Sequence, residues 1–112
     1  MKILSRDEIL NAKDLQTEVV FVKEWGGSVS VQSLSGKKRS KIMDSCMNDK
    51  GKMDTNKLYP ALMVGGCIDP EFKPADAEAL NEKNSGALET ICSKIMKLSG
   101  ISKDDVEEAK KN

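Results

Sequence analysis

LQTEVVFVKEWGGSVSVQSL, from Leu15 to Leu34, is split by two glycines into two apolar runs. The first, Leu15 to Glu24, is rich in β-branched residues and too short to read as a helix. The second, Ser28 to Leu34, alternates, with Val29 and Val31 on one face and small polar groups on the other. Gly26 and Gly27 lie between the runs, and glycine supplies the positive φ that a tight hairpin needs. Residues 16–34 are therefore predicted to form a β-hairpin, with Trp25, the chain's one tryptophan, at its corner. There the indole either folds back as a lid over the core or stands exposed as an anchor for a partner. Neither position is an active site.

On the N-terminal side, Ser5-Arg-Asp-Glu8 fits a capping box. It starts a short helix from about Arg6 to Ala12 that is expected to bury Ile9 and Leu10. Beyond Gly36 the apolar period changes. Ser35 can cap a helix from about Lys37 to Asn48 whose Ile42, Met43, Cys46 and Met47 share a face. Asn48 to Gly51 reads as a turn. A second helix covers about Asn56 to Val64 with Leu58, Leu62 and Met63 inward, provided Pro60 sits in its first turn. Gly65 and Gly66 stop it, and Cys67 to Pro74 reads as a loop anchored by Ile68 and Phe72.

A short helix follows from Ala75 to about Glu82. Gly86 to Ser99 then carries the clearest stripe, Leu88, Ile91, Cys92, Ile95 and Leu98, with Gly100 placed to end it. A last helix opens at Ser102 with acids in its first turn and closes on Lys110 and Lys111. No repeat or linker interrupts the chain. The expected architecture is α+β: residues 1–112 as one compact domain, a hairpin followed by four or five short helices.

Composition narrows the function. With 112 residues and 18 basic against 18 acidic side chains, nothing suggests a nucleic-acid or acidic-substrate partner. Aromatics are only 4%, so the core must be built from Leu, Ile, Val, Ala and six Met. There is no histidine, which removes the commonest general base and metal ligand. Cys46, Cys67 and Cys92 are widely spaced and odd in number, and read as reduced, buried thiols of a cytosolic protein. The start MKILSRDEIL has too short an apolar run for a signal peptide, and no segment approaches the roughly 20 apolar residues of a membrane span. A soluble intracellular protein is expected.

No catalytic constellation stands out. No Ser or Cys is paired with a Lys or carboxylate base in a known motif. Neither glycine pair continues into a phosphate-binding signature. Asn48 to Asp54 has the Asn, Asp and Gly of a calcium loop but lacks its alternating carboxylates and closing Glu. The chain is therefore expected to be no enzyme and to take no cofactor or metal. Lys37, Lys38, Arg39 and Lys41 make a basic run inside a helix, read as a solvated face. An acidic partner or RNA is the alternative, and the lack of aromatics for base stacking argues against RNA.

The order of features resembles a known family. A strand, then Glu24-Trp25-Gly26-Gly27 with Val29-Ser-Val31, then Leu34-Ser35-Gly36 and a charged helix, is similar to the N-terminal half of the XkdN-like tail assembly chaperones of long-tailed phages and prophages. Ile68 to Phe72, Ala75 to Lys83, Ala87-Leu88, Leu98 to Ser102 and Val106 to Asn112 continue the likeness, from about Asp14 to the end. The resemblance implies a non-catalytic protein of the host cytoplasm, absent from the finished virion. It would coat the helical tape measure protein before tail-tube subunits polymerise. It also implies a frameshifted long form of the chain and the tail-tube protein as further partners, with Lys110-Lys111 as the place for a slippery site, and weak self-association. An amphipathic helix calls for adaptable apolar surface. Met43, Met47, Met53, Met63 and Met96 either supply it or fill a core poor in aromatics. Trp25, Met43, Met47 and Met63 are the candidate partner-binding residues. The alternative from another class is a structural virion component, a tail-completion or head–tail connector protein.

Overall fold

The computed structural model describes residues 1–102. Its hairpin is the one the alternation predicts. β1 (Thr17–Val22) and β2 (Gly27–Gln32) pair antiparallel from Thr17↔Gln32 to Val22↔Gly27. A single 3₁₀ turn, Lys23–Trp25, and Gly26 at φ 66° join them. Val20, Val22, Val29 and Val31 are buried on one face, because strand side chains alternate and cross-strand partners share a face. Val19 and Phe21 therefore point the other way, and both are largely exposed.

The sheet has a third strand that the sequence did not announce. Cys67–Asp69, expected to be loop, forms β3, antiparallel to β2 and irregular in register beside Ser30 and Val31. Cys67 sits opposite Val31 and is buried, whereas Ile68, expected as an anchor, is exposed. Phe72 does pack against the core. The strand order is β1-β2-β3.

Helices cover one face of this sheet. α1 (Arg6–Leu10) begins with the expected capping box: the Glu8 amide donates to Ser5 Oγ at 3.1 Å and the Ser5 amide to Glu8 Oε1 at 3.2 Å. The expected burial of Ile9 and Leu10 is corrected, since they are 57% and 64% exposed. No other element packs closely on α1, and none of its residues is buried.

α2 (Gly36–Ser45) starts at Ser35, whose hydroxyl accepts from the Lys38 amide. It ends three residues short of the predicted Asn48. The reason is local: Asn48 Oδ1 accepts from the Lys50 and Lys52 amides, and a turn closes in place of a helix. Met47 thus leaves the predicted apolar face and pairs in an isolated bridge with Met53.

α3 (Thr55–Gly66) is longer than expected at both ends, and Asp54 caps it. Pro60 lies beyond the first turn, correcting the expected placement. Proline has no N–H, so the Asn56 carbonyl four residues earlier loses its helical donor. The side chain of Asn81 replaces it, with Nδ2 donating to Asn56 O at 2.7 Å. Asn81 ends α4 (Ala77–Asn81), so one hydrogen bond repairs α3 and ties α4 to it. Asn81→Ala is expected to cost about 0.5–1 kcal/mol in urea unfolding. In a Pro60→Ala background, where the residue 60 amide can bond Asn56 itself, the same change is expected to cost almost nothing. Equal costs in both backgrounds would refute this account.

α5 (Ser85–Leu98) is capped by Asn84 and lies on the inner face of β1 and β2. Leu88, Ile91, Cys92 and Ile95 are buried as the stripe predicts. Its end is a Schellman motif. Gly100 has φ 71°, its amide donates to Lys97 O, and the Ile101 amide donates to Met96 O with the Ile101 side chain buried. Ser99 Oγ accepts from the Leu34 amide and donates to Ile95 O, joining the hairpin's exit to α5. Leu58, Leu62 and Met63 of α3 meet Ile91 and Ile95 of α5 beneath the sheet, forming one core. The architecture is α+β in one compact domain. The final helix expected from Ser102 onward lies outside the described residues.

Candidate functional site

A cleft opens among the helices. It is bounded by α2, α3 and the stretch from Pro74 through α4, and holds about 540 Å³. That lies within the range of roughly 300–1,000 Å³ usual for binding sites. Helical spacing explains it. On α2, Lys38, Lys41, Ile42 and Ser45 fall on one face, and on α3 so do Lys57, Pro60, Ala61 and Val64. The floor is apolar, formed by Ile42, Pro60, Ala61 and Val64. Small side chains keep it open, and Gly65 adds to this: a Cβ there would lie 3.0 Å from Ile42 Cδ1.

The rim is basic. Lys38, Lys41 and Lys57 surround the floor, and Glu78 is the one acid in the lining. Lys38 Nζ donates to the Gly65 carbonyl at 3.2 Å, a cation satisfying the last turn of α3. Lys41 and Lys57 make no ion pair among the described residues. Three lysines against one acid beside an apolar floor favour a ligand with apolar anchors and negative flanks.

The residues singled out from the sequence do not converge. Met63 is wholly buried in the core and offers no surface to a partner, which corrects its selection as a contact. Met43 is half-buried against the core. Met47 is 40% exposed in the loop after α2. Trp25 is also 40% exposed, in the hairpin turn that lies against α5, and so is partly lid and partly surface. The lysines of the basic run are exposed, as a solvated face requires, and Lys38 and Lys41 also line the cleft. The cleft itself went unread. Its signal was present, as lysine at the edge and alanine, valine and glycine down one face of α3.

All three cysteines are free and buried. Burial pushes the Cys67 thiol up to about 11 and raises Cys46. It raises Cys92 further still, where the neighbouring Cys67 adds to the effect. Cys92 Sγ donates to the Tyr59 carbonyl. Such thiols stay protonated and pack as small apolar groups. At the sequence's faint calcium loop, Asn48 is engaged with its own turn. Among the described residues no three His, Cys, Asp or Glu side chains gather as a metal site, and no helix is long and apolar enough to cross a membrane. Comparison with family models, curated proteins and solved structures finds no match for this chain.

Proposed function

We propose that this chain is a non-catalytic tail assembly chaperone of a phage or prophage, and that it binds the tape measure protein through the α2–α3–α4 cleft. The observation that carries the binding face is the apolar floor beside Lys41 and Lys57, which no ion pair occupies. An amphipathic helix laid there would insert side chains spaced i, i+4 and set its acidic residues against the lysines. The tail setting rests on the sequence resemblance. One short cleft per copy gives weak single-site binding, so coverage of a long partner would come from many copies in a row. The protein would act in the host cytoplasm before the tail tube closes and leave before the virion is complete.

The test is co-expression with the tape measure protein encoded downstream, then affinity purification and light scattering. A soluble complex with many copies of this chain per partner is expected. Lys41→Glu with Lys57→Glu should weaken it at least about tenfold, and added salt should weaken the wild-type complex in the same direction. Ala61→Trp, which fills the floor, should do likewise, with circular dichroism confirming that each variant folds. If the partner stays insoluble while this chain elutes alone, the chaperone reading fails. Recovery of the chain from purified virions would favour a structural tail component instead.

A further inference from the structure

The walls of the cleft differ in charge. α2 and α4 each pack on α3 and not closely on each other, so α3 forms the floor and the other two form the walls. α2 carries Lys37, Lys38, Arg39 and Lys41 against Asp44. The stretch from Lys73 to Lys83 carries Asp76, Glu78 and Glu82 against Lys73 and Lys83. Of these, Lys38 and Lys41 line the cleft from one wall and Glu78 lines it from the other. Asp76 is turned to its own backbone, its Oδ2 accepting from the Lys73 amide at 2.8 Å.

The two ends of the groove are also distinct. Lys38 Nζ donates to the Gly65 carbonyl, and the Asp54 amide donates to the Cys46 carbonyl at 2.7 Å. α2 and α3 therefore run in opposite senses, the start of each beside the end of the other. At the start of α3, Asn81 of α4 bonds the Asn56 carbonyl, and Lys57 follows. One end of the groove is thus marked by Gly65 and the other by Lys57. From Asn56 to Gly65 the floor rises about 14 Å at about 1.5 Å per residue, room for about two and a half turns of a bound helix.

A helix laid apolar side down in such a groove turns one flank to each wall, and reversing its direction exchanges the flanks. Between walls of like charge the two directions would be equivalent. Here one direction pairs the flanks with the walls, and the other sets like charges together.

We propose that the cleft fixes the direction of the helix it binds. Its ligand is a helical segment with carboxylates on the flank toward α2 and lysine or arginine on the flank toward α4. This deepens the reading of the cleft as the binding face and rests on it. The rim charges are exposed, so they decide direction more than strength. A preference of about tenfold, or about 1.4 kcal/mol, needs only a few such pairs. Along a partner whose successive segments share the asymmetry, every copy of the chain would point the same way.

The test uses the full chain, isotope-labelled for NMR, and a designed helical peptide of about 18 residues. The peptide carries leucine and alanine at i, i+4 spacing, glutamate along one flank, lysine along the other and a nitroxide at its C-terminus. The nitroxide is expected to broaden the amides at one end of the groove, around Gly65 or around Lys57. A second peptide with glutamate and lysine exchanged should broaden the opposite end. Lys41→Glu with Glu78→Lys in the chain, both at exposed positions, should cancel the preference. Equal broadening of both ends, the same end for both peptides, or a preference that survives this charge exchange overturns the proposal and leaves the cleft standing as a helix site. Peptides that reach about 1 mM without shifting any cleft amide overturn it together with the cleft as the binding face.

Discussion

Gly66→Ala is expected to destabilise the protein by about 2–3 kcal/mol, against the helix propensity that favours alanine by about 1 kcal/mol. Gly66 is the last residue of α3 and is buried. A Cβ built on it would meet three atoms of Ile95, Cδ1 and Cγ2 at 2.7 Å and Cγ1 at 2.9 Å. No side-chain rotation relieves this, because a branched Ile held at 0% exposure has no free rotamer to adopt. The glycine is needed for space: its φ is not positive, unlike those of Gly26 and Gly100. It lets α3 and α5 approach where they pack together. Urea unfolding measures the cost. Ile95→Ala should by itself cost about 2–5 kcal/mol, and combined with Gly66→Ala the total should fall short of the sum by about 1 kcal/mol or more. Strict additivity would show that the contact does not govern the site.

The second large effect is alkaline loss of stability. Burial holds the Cys67 thiol at about 11, against an ordinary value of 9.0, and also raises Cys46 and Cys92. Burial raises Tyr59 as well, helped by Glu89 and Cys92. In each case the folded state keeps its proton longer than the unfolded chain does. Stability is then complete below about pH 9, where both states are protonated, and falls as pH climbs toward the folded values. Each thiol contributes a slope of about 1.4 kcal/mol per pH unit within its window, so Cys67 alone removes about 2–3 kcal/mol by pH 11. Against a typical total of about 5–15 kcal/mol this is a large share. The measurement is the urea midpoint from pH 7 to 10.5 for wild type and for a variant with all three cysteines replaced by alanine. Every other side chain is common to both, so a shallower decline in the variant isolates the thiols. Parallel declines would refute the assignment.

Several elements were legible because the information lay within a few residues. Val29-Ser-Val31 alternates, and cross-strand pairing turned that alternation into one buried face. Ser5, Ser35 and Gly100 each do what their residue type does locally, as two helix starts and a stop. The stripe on α5 needed only its own period. Two of the failures were cases where a distant residue decided. Cys67-Ile-Asp69 is too short to declare a strand, and becomes one only because β2 offers an unpaired edge. Pro60 looked as though it must start a helix, yet Asn81 from another helix supplies the missing donor.

The candidate site was less legible still. Lys38, Lys41 and Lys57 could be read as charged, but their standing around one apolar floor depends on how α2 crosses α3. Met63 shared with Met43 the look of adaptable surface, and only packing separated them, one to the core and one to its margin.

What the sequence determined by itself was therefore the hairpin, most of the helices, the caps at Ser5, Ser35 and Gly100, and the apolar side of the hairpin and of α5. These follow from local hydrogen bonding and from the two side-chain periods, which need no partner. The tertiary structure alone decided which apolar sides would be covered. The inner sheet face and α5 found each other, whereas Ile9, Leu10, Val19 and Phe21 did not, and the cleft floor stayed open beside its lysines. The hydrophobic effect is non-directional and sets how much surface should leave water. The choice of which surfaces meet belongs to chain connectivity and close contact, as at Gly66 against Ile95.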